Sequence, residues 1–255
     1  GVATQSLRLD KGSSAVLIRD PSSTGDVANT MTFSFWLKRA TLGSQYIYSS
    51  GSVNARGHIV LNADHTLSIQ PFNGTGTNAG GITTKLFRDT SAWYHICITT
   101  NALTASNVAN NLVLYVNGVS VPFTAFKTGS GGTIRWNDAQ EKRIGELQPD
   151  GGSHLDGYLC DFNFVDGAVV APTNFGEFKN GIWIAKEPVV SDYGTNGYRL
   201  KFDQVGVGTA STSTIGADTS GNNNHWTSSG IVASDCAMPD SPENNFPTMN
   251  VLKVP

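Results

Sequence analysis

Carboxylates that could carry out acid–base chemistry are present in this sequence, but they are not arranged in pairs. Glycoside hydrolysis requires two Asp or Glu side chains on either side of the bond to be cut, and no strand-like segment carries acidic residues in alternation. Glu146 and Glu177 are isolated, and Asp161 and Asp166 lie near the ends of a predicted strand. The sequence also has no Gly-x-Ser-x-Gly nucleophile motif. The residue pattern therefore predicts a protein that is not an enzyme.

Oxygen-rich loops are the candidates for a metal site. Calcium takes six to eight oxygen ligands, and Asp218 with the asparagine run at residues 222–224 offers carboxylate and amide oxygens in one loop. Turn chemistry explains the same residues, because Asx side chains bond to their own backbone. Both interpretations stay open, with Asp218 and Asn222 as the candidate calcium ligands. The five histidines are scattered without the spacing of a metal site.

Aromatic side chains next to polar loops are the candidates for sugar binding, which needs a flat apolar platform beside polar groups. Trp136 follows a glycine-rich loop, Trp226 ends the asparagine-rich loop, and Tyr193 lies in a polar turn. These three residues are the predicted ligand-binding side chains. Trp36 and Trp93 lie within strand-like segments, and we expect them to be core residues.

The elements that must position these residues are predicted to be short strands. Four segments have strand length, and their large apolar residues fall mostly on alternate positions: 32–38, 93–99, 112–117 and 158–165. This alternation is typical of a sheet with one face on a core. Asn117-Gly118 supplies the positive backbone dihedrals of a two-residue hairpin turn. The sequence thus predicts an all-β protein, a jelly-roll sandwich of two antiparallel sheets packed face to face.

Length and composition agree with this class and exclude others. A single β-sandwich can account for all 255 residues, of which 15% are charged and 28 are glycine. The net charge is −3 and no Lys/Arg cluster stands out, so recognition of nucleic acid is not expected. No apolar run approaches the ~18 residues of a membrane span, and no membrane insertion is expected. Cys97, Cys160 and Cys236 are expected to be reduced structural residues.

The chain divides into two parts that differ in composition and in their content of predicted strands. Residues 1–171 contain most of the predicted strands and form the sandwich. Residues 172–255 are an extension that adds strands to the sandwich or wraps it, and the end of the extension, rich in Pro and Asn, is linker-like. One helical turn is predicted at 172–178, and flexible loops are predicted at 73–81 and 129–132.

The order of several segments resembles the concanavalin A-like lectin/glucanase superfamily in its laminin-G/pentraxin-like form. The resemblance covers about residues 5–168. It rests on the following segments: Phe33-Ser34-Phe35-Trp36-Leu37, Trp93-Tyr94-His95-Ile96, residues 112–118, Ile144-Gly145 and residues 155–162. The resemblance implies a lectin-like sandwich, in which related domains hold calcium at the rim.

A second resemblance concerns segments of tailed-bacteriophage virion proteins such as tail fibres, tail spikes and decoration proteins. It rests on residues 5–9, 35–39, 218–226 and 240–246. It implies a protein made in the cytoplasm of a host bacterium and displayed on the virion surface. Other virion proteins would be its partners, and it would form a homo-oligomer, with a trimer as one form.

These observations predict a non-enzymatic virion structural protein that acts as an adhesin for bacterial surface glycan. The alternative is a head or tail decoration domain without a ligand of its own. A glycan depolymerase is the least favoured reading, because the sequence offers no carboxylate pair.

Overall fold

A computed structural model describes residues 2–52, 55–74, 77–128, 134–147 and 152–245, without the side chains of residues 72–74 and 77. The described strands form two large antiparallel sheets and one separate hairpin. The predicted loop at 129–132 lies outside the described residues.

The first sheet has seven strands in the order β1-β13-β3-β8-β9-β10, and β16 pairs with the far half of β13. Its strands are β1 (Leu7–Leu9), β3 (Met31–Arg39), β8 (Tyr94–Thr100), β9 (Leu112–Val116), β10 (Val119–Ser120), β13 (Gly157–Asp166) and β16 (Tyr198–Leu200).

The second sheet has eight strands in the order β11-β7-β6-β5-β4-β12-β2-β17. Its strands are β2 (Val16–Arg19), β4 (Gln45–Ser52), β5 (Ala55–Leu61), β6 (Leu67–Gly74), β7 (Thr77–Thr83), β11 (Phe123–Thr128), β12 (Lys142–Ile144) and β17 (Thr227–Ser229). Among the residues that the structure describes, helix is restricted to α1 (Val108–Asn111) and to 3₁₀ turns at Lys11–Ser13, Pro172–Asn174 and Ala233–Asp235.

Alternation along the strands separates the two faces of the seven-stranded sheet. Phe33, Phe35 and Leu37 of β3 point into the sandwich and belong to its main core. Trp36, between them, points to the outer face, away from the second sheet, because neighbouring residues of a strand project to opposite sides. The predicted all-β jelly roll is confirmed, and the four strands predicted at 32–38, 93–99, 112–117 and 158–165 agree with β3, β8, β9 and β13 to within one residue.

The segment at 73–81 was predicted to be a flexible loop, but its described residues belong to strands. Strand β6 extends to Gly74, and β7 begins at Thr77 and pairs with both β6 and β11. A Cβ atom at Gly80 would lie 2.2 Å from the carbonyl oxygen of Ile69. Gly80 and Gly81 therefore serve close packing, since a Cβ atom at Gly81 would lie 2.3 Å from the Phe123 ring, and the loop prediction was wrong for the described part of this segment.

The C-terminal part of the chain both joins the sheets and covers one of them. β16 extends the first sheet and β17 extends the second. The hairpin of β14 (Gly176–Lys179) and β15 (Ile182–Ala185) packs on the outer face of the seven-stranded sheet. Residues 239–245, which we call the strap, cross the same face. The helical turn predicted at 172–178 is limited to Pro172–Asn174, since β14 begins at Gly176.

A buried ionic group fixes this extension to the sheet. Asp161 sits at a bulge of β13 with a φ of 44°, and its carboxylate accepts a hydrogen bond of 2.8 Å from Nε of Arg199 on β16. The other side of the Arg199 guanidinium contacts Glu187, which is largely exposed. Burial raises the pKa of the Asp161 carboxyl, and the Arg199 guanidinium offsets only part of this effect.

No helix in the described part of the chain combines the length and hydropathy that crossing a membrane requires.

The first prediction concerns this buried pair. Arg199→Met leaves the Asp161 carboxylate buried without its counter-charge, and we expect it to lower the free energy of unfolding by about 3–5 kcal/mol. Glu187→Gln is the matched control, since it removes an exposed partner of the same arginine and should cost less than about 1 kcal/mol. Urea unfolding measures both variants. Equal losses for the two variants would show that the buried pair has no special role.

Candidate functional site

The outer face of the seven-stranded sheet carries a second apolar cluster, separate from the sandwich core. Trp36 of β3 lies beside Cys160 of β13 in the strand register, and both belong to a buried group that includes Trp93 and Trp183. Trp36 and Trp93 were predicted to be core residues. They are buried, but beneath the C-terminal extension rather than between the sheets.

The β14–β15 hairpin contributes two aromatic rings to this face. Phe178 and Trp183 are direct partners in the hairpin register, and their ring centroids lie 5.0 Å apart at 68°. Asn180 and Gly181, at the tip, both have positive φ values, which is the geometry of a tight two-residue turn. The hairpin therefore holds an exposed phenyl ring against a largely buried indole.

A second turn supports the same indole. Gly118 has a φ of 74°, and a Cβ atom placed on it would lie 2.3 Å from the Trp183 ring. The Asn117-Gly118 turn between β9 and β10, predicted from the sequence, thus also provides the surface on which Trp183 rests. Asn117 accepts a hydrogen bond of 2.8 Å from the backbone N–H of His95 through Oδ1.

The strap supplies the opposite wall, and the Asp240 carboxylate is one of the groups that hold it there. Asp240 accepts a hydrogen bond of 3.0 Å from Nε1 of Trp93 and one of 2.8 Å from Nζ of Lys38. The Lys38 ammonium, which is fully buried, also donates to Oδ1 of Asn245 at 2.8 Å. Nδ2 of Asn245 donates to the carbonyl oxygen of Ser91.

Between the hairpin, the turn and the strap lies a groove of about 570 Å³, which we call the aromatic groove. Its described lining consists of Trp36, Ala92, Trp93, Asn117, Val119, Phe178, Gly181, Ile182, Trp183, Pro242 and Asn245. None of these residues carries a charge. The indoles form a largely buried floor, whereas Val119, Phe178 and Ile182 are 57%, 56% and 68% exposed. The volume falls in the range of small-molecule sites, about 300–1,000 Å³.

His95 lies under the floor of the aromatic groove. Its Nε2 is 2.9 Å from the hydroxyl of Ser34, and its ring lies 5.0 Å from Trp36 and 5.7 Å from Trp183 between centroids. Burial lowers the pKa of His95 to about 3. The imidazole is therefore neutral at physiological pH and acts as a packing element.

The two tryptophans predicted to lie at the surface are both fully buried. Trp136 packs 5.3 Å from Phe33, and Trp226 packs 5.0 Å from Tyr198. The prediction of surface platforms at Trp136 and Trp226 was wrong, because the polar neighbours that suggested exposure fasten these segments inward. Beside Trp136, for example, Asn137 donates a hydrogen bond to the buried Asp166 carboxylate.

Tyr193 belongs to the extension and lies outside the described lining of the aromatic groove. Its hydroxyl donates a hydrogen bond of 2.8 Å to Oδ1 of Asn163, and its ring packs against the cluster of Cys97, Val165 and Phe175. Burial raises the pKa of the Tyr193 hydroxyl above its ordinary value. These contacts describe a residue that fixes the extension to the sheet.

Asp218 uses both carboxylate oxygens within the protein. Oδ1 accepts from the backbone N–H groups of Arg199 and Ser220 at 2.9 and 2.8 Å, and Oδ2 accepts from the Ser220 hydroxyl and the Asn224 N–H at 2.9 and 2.8 Å. This is the Asx-turn alternative, in which the side chain organises its own loop.

Asn222, the other candidate calcium ligand, directs its amide N–H₂ group to two backbone carbonyls, those of Gly194 and Gly197, at 2.6 and 3.0 Å. The Asp218–Asn222 loop does not fit a calcium site, since its carboxylate is occupied by N–H and O–H donors and its amide presents hydrogen atoms. Within the described ranges, no group of three or more His, Cys, Asp or Glu side chains is placed to hold a metal ion.

The residues of the aromatic groove were mostly missed by the sequence analysis, although one signal was present. Asn180-Gly181 beside the short apolar run at 182–185 is a hairpin signal, and it would have placed Phe178 and Trp183 across from each other. No local pattern indicates the strap residues Pro242 and Asn245, because they reach the groove through contacts distant in sequence.

Comparison with known proteins identifies the family. A laminin G family model of the concanavalin A-like lectin/glucanases superfamily matches residues 10–173, and the chain belongs to this superfamily. A sequence comparison with curated proteins found no match.

Three solved structures are similar to this one. A Bacteroides ovatus protein named for a proposed carbohydrate-binding role has a TM-score of 0.59 at 15% identity, over 91% of this chain and 60% of that chain. Domains LG4-5 of the mouse laminin alpha1 chain have a TM-score of 0.45 at 15% identity, over 82% and 52%. Tailspike protein 2 of Escherichia coli O157:H7 bacteriophage CAB120 has a TM-score of 0.44 at 14% identity, over 67% and 23%. At such identities the likeness concerns the fold, and this chain spans only part of each of these proteins.

The second prediction concerns the pH dependence of stability. Burial lowers the pKa of His95 to about 3 and that of His58 to about 4 in the folded protein, below their ordinary 6.5. As the pH falls below ~6.5, the unfolded chain therefore binds more protons than the folded protein. Stability is therefore retained above pH ~6.5 and decreases below it. Each histidine should lower the free energy of unfolding by about 2 kcal/mol at pH ~5 relative to pH ~7. Urea unfolding between pH ~7 and ~5 measures this slope, and His95→Gln should reduce it. An NMR titration showing that folded His95 ionises near its ordinary pKa would contradict the prediction.

Proposed function

We propose that this protein is a non-enzymatic carbohydrate-binding module whose ligand lies in the aromatic groove. The observation that carries the proposal is the exposed Phe178 ring, which stands over Trp183 at the edge of an uncharged groove with a floor of indoles. Sugar rings expose C–H groups on their faces, and aromatic side chains supply matching apolar area. The lectin-like fold supports the same class of function.

The polar groups near the groove support a binding role rather than a catalytic role. Its described lining contains no carboxylate, whereas glycoside hydrolysis uses two. The adjacent carboxylate of Asp240 accepts hydrogen bonds from Trp93 and Lys38 and lies between the strap and the sheet. The groove therefore offers a surface to a sugar and no group that would cleave it.

The setting that we propose is the surface of a tailed-bacteriophage virion. It is supported by the resemblance of residues 5–9, 35–39, 218–226 and 240–246 to segments of virion proteins. In this setting the groove acts as an adhesin for bacterial surface glycan, and the other partners are virion proteins. Several copies displayed together would convert weak single-site binding into firm attachment.

A structural decoration role is the second candidate, and one observation favours it. Val119, Phe178 and Ile182 form an exposed apolar rim around the aromatic groove. Such a rim could also pack against a neighbouring protein of the particle. In that case the groove would bind protein and no glycan.

The third prediction tests the groove. Phe178→Ala removes an exposed ring, so the fold should be kept while glycan binding weakens by about tenfold or more. Val232→Ala is the control, since it truncates a similarly exposed apolar residue outside the groove. A glycan array followed by calorimetry of the best hit measures both variants against the unaltered protein.

The outcomes separate the candidates. Glycan binding that is lost in Phe178→Ala and kept in Val232→Ala supports the adhesin. Absence of binding to any glycan overturns it and leaves the decoration role. Release of new reducing ends from bound polysaccharide would contradict the non-enzymatic assignment.

A further inference from the structure

We infer that the aromatic groove selects uncharged hexopyranose chains with equatorial substituents and discriminates against charged glycans. This inference rests on the proposed function and names the ligand class of the same site. Equatorial substitution leaves the ring faces covered by axial C–H groups, which is the surface that fits an aromatic floor.

The hydrogen-bonding groups around the groove are mostly used within the protein. Nε1 of Trp93 donates to Asp240, and both ends of the Asn245 amide are engaged, by Lys38 and by the Ser91 carbonyl. Nε1 of Trp183 is buried away from solvent. These side chains can contact a ligand through their apolar surface, but they offer it few directed hydrogen bonds.

Asn117 is the polar side chain that differs from the others. Its Oδ1 accepts from the backbone N–H of His95, and this bond fixes the orientation of the amide at the groove. The Nδ2 group can then donate to a sugar hydroxyl or ring oxygen. A single oriented amide recognises one hydroxyl or ring oxygen, and many hexopyranoses share these groups. The groove should therefore tolerate different sugars.

Charge is absent from the described lining and balanced beside it. The ammonium of Lys38 is fully buried and paired with Asp240 at 2.8 Å, so it presents no free positive charge to a ligand. A carboxylated or sulfated sugar would lose hydration in the groove without gaining a counter-charge. An aminated sugar would meet the same penalty, because the described lining of the groove contains no carboxylate.

The fourth prediction uses two pairs of glycans whose members differ in charge and share a backbone. The methyl ester of cellulose-linked oligoglucuronate is compared with the free oligoglucuronate, and N-acetylated chito-oligosaccharide with its deacetylated form. These probes accompany a glycan array of neutral and charged chains. In each pair that binds, the neutral member should bind about tenfold more tightly or better. Its affinity should change less than about twofold between ~20 and ~500 mM NaCl, because no ion pair is screened.

A variant reverses the expected preference. Val119→Lys places a cation at the exposed rim of the groove and should raise the affinity for cellulose-linked oligoglucuronate about tenfold at low salt. Val119→Gln, a neutral side chain of similar reach, should not. Position 119 is exposed on the short edge strand β10, where either side chain is compatible with folding.

Each result has a defined meaning. Neutral hits that depend on Phe178 and are insensitive to salt support the inference. Charged hits that depend on Phe178 overturn the inference and leave the proposed carbohydrate function intact. Absence of binding to every neutral and charged glycan overturns both.

Discussion

The central strands of the seven-stranded sheet are buried on both of their faces, and the rest of the molecule follows from this constraint. Every residue of β3 and of β8 is buried. One face is covered by the second sheet, as in any sandwich. The other face exposes Trp36, His95 and Cys160 unless the chain itself provides a cover. The C-terminal extension is that cover, and the aromatic groove lies where its two pieces, the β14–β15 hairpin and the strap, leave a gap.

The same constraint explains the ionic groups found on the covered face. Lys38 and Asp161 are charged residues of the sheet that the extension removes from water, and each has a partner of opposite charge in the extension, Asp240 for Lys38 and Arg199 for Asp161. A buried charge without a partner costs several kcal/mol, so these pairs specify where the extension can dock as much as they stabilise it. Because Asp240 also bonds to Trp93, docking of the strap and positioning of a groove residue are a single event.

The sandwich was predictable from the sequence, whereas the aromatic groove was not. Alternation of apolar residues in β3, β8, β9 and β13 shows which residues of a strand share a face, and this information is local in the sequence. What covers a face is a long-range property, and alternation alone does not reveal that Trp36 lies outside the main core. Trp136 was predicted to be exposed because its neighbours are polar. These neighbours form buried hydrogen bonds, and the indole is buried with them. For Asp218, the sequence allowed a metal ligand or a turn residue, and the contacts describe the turn.

The contact between Gly118 and Trp183 has a consequence for how this binding surface can diversify. The turn has no room for a side chain beneath the indole, so position 118 and position 183 can change only together. Phe178 and Ile182, in contrast, project from the hairpin into solvent and touch no such barrier. Under the proposed glycan-binding function, substitutions at the two outward positions would therefore retune ligand preference, while the glycine and the indole preserve the surface beneath them.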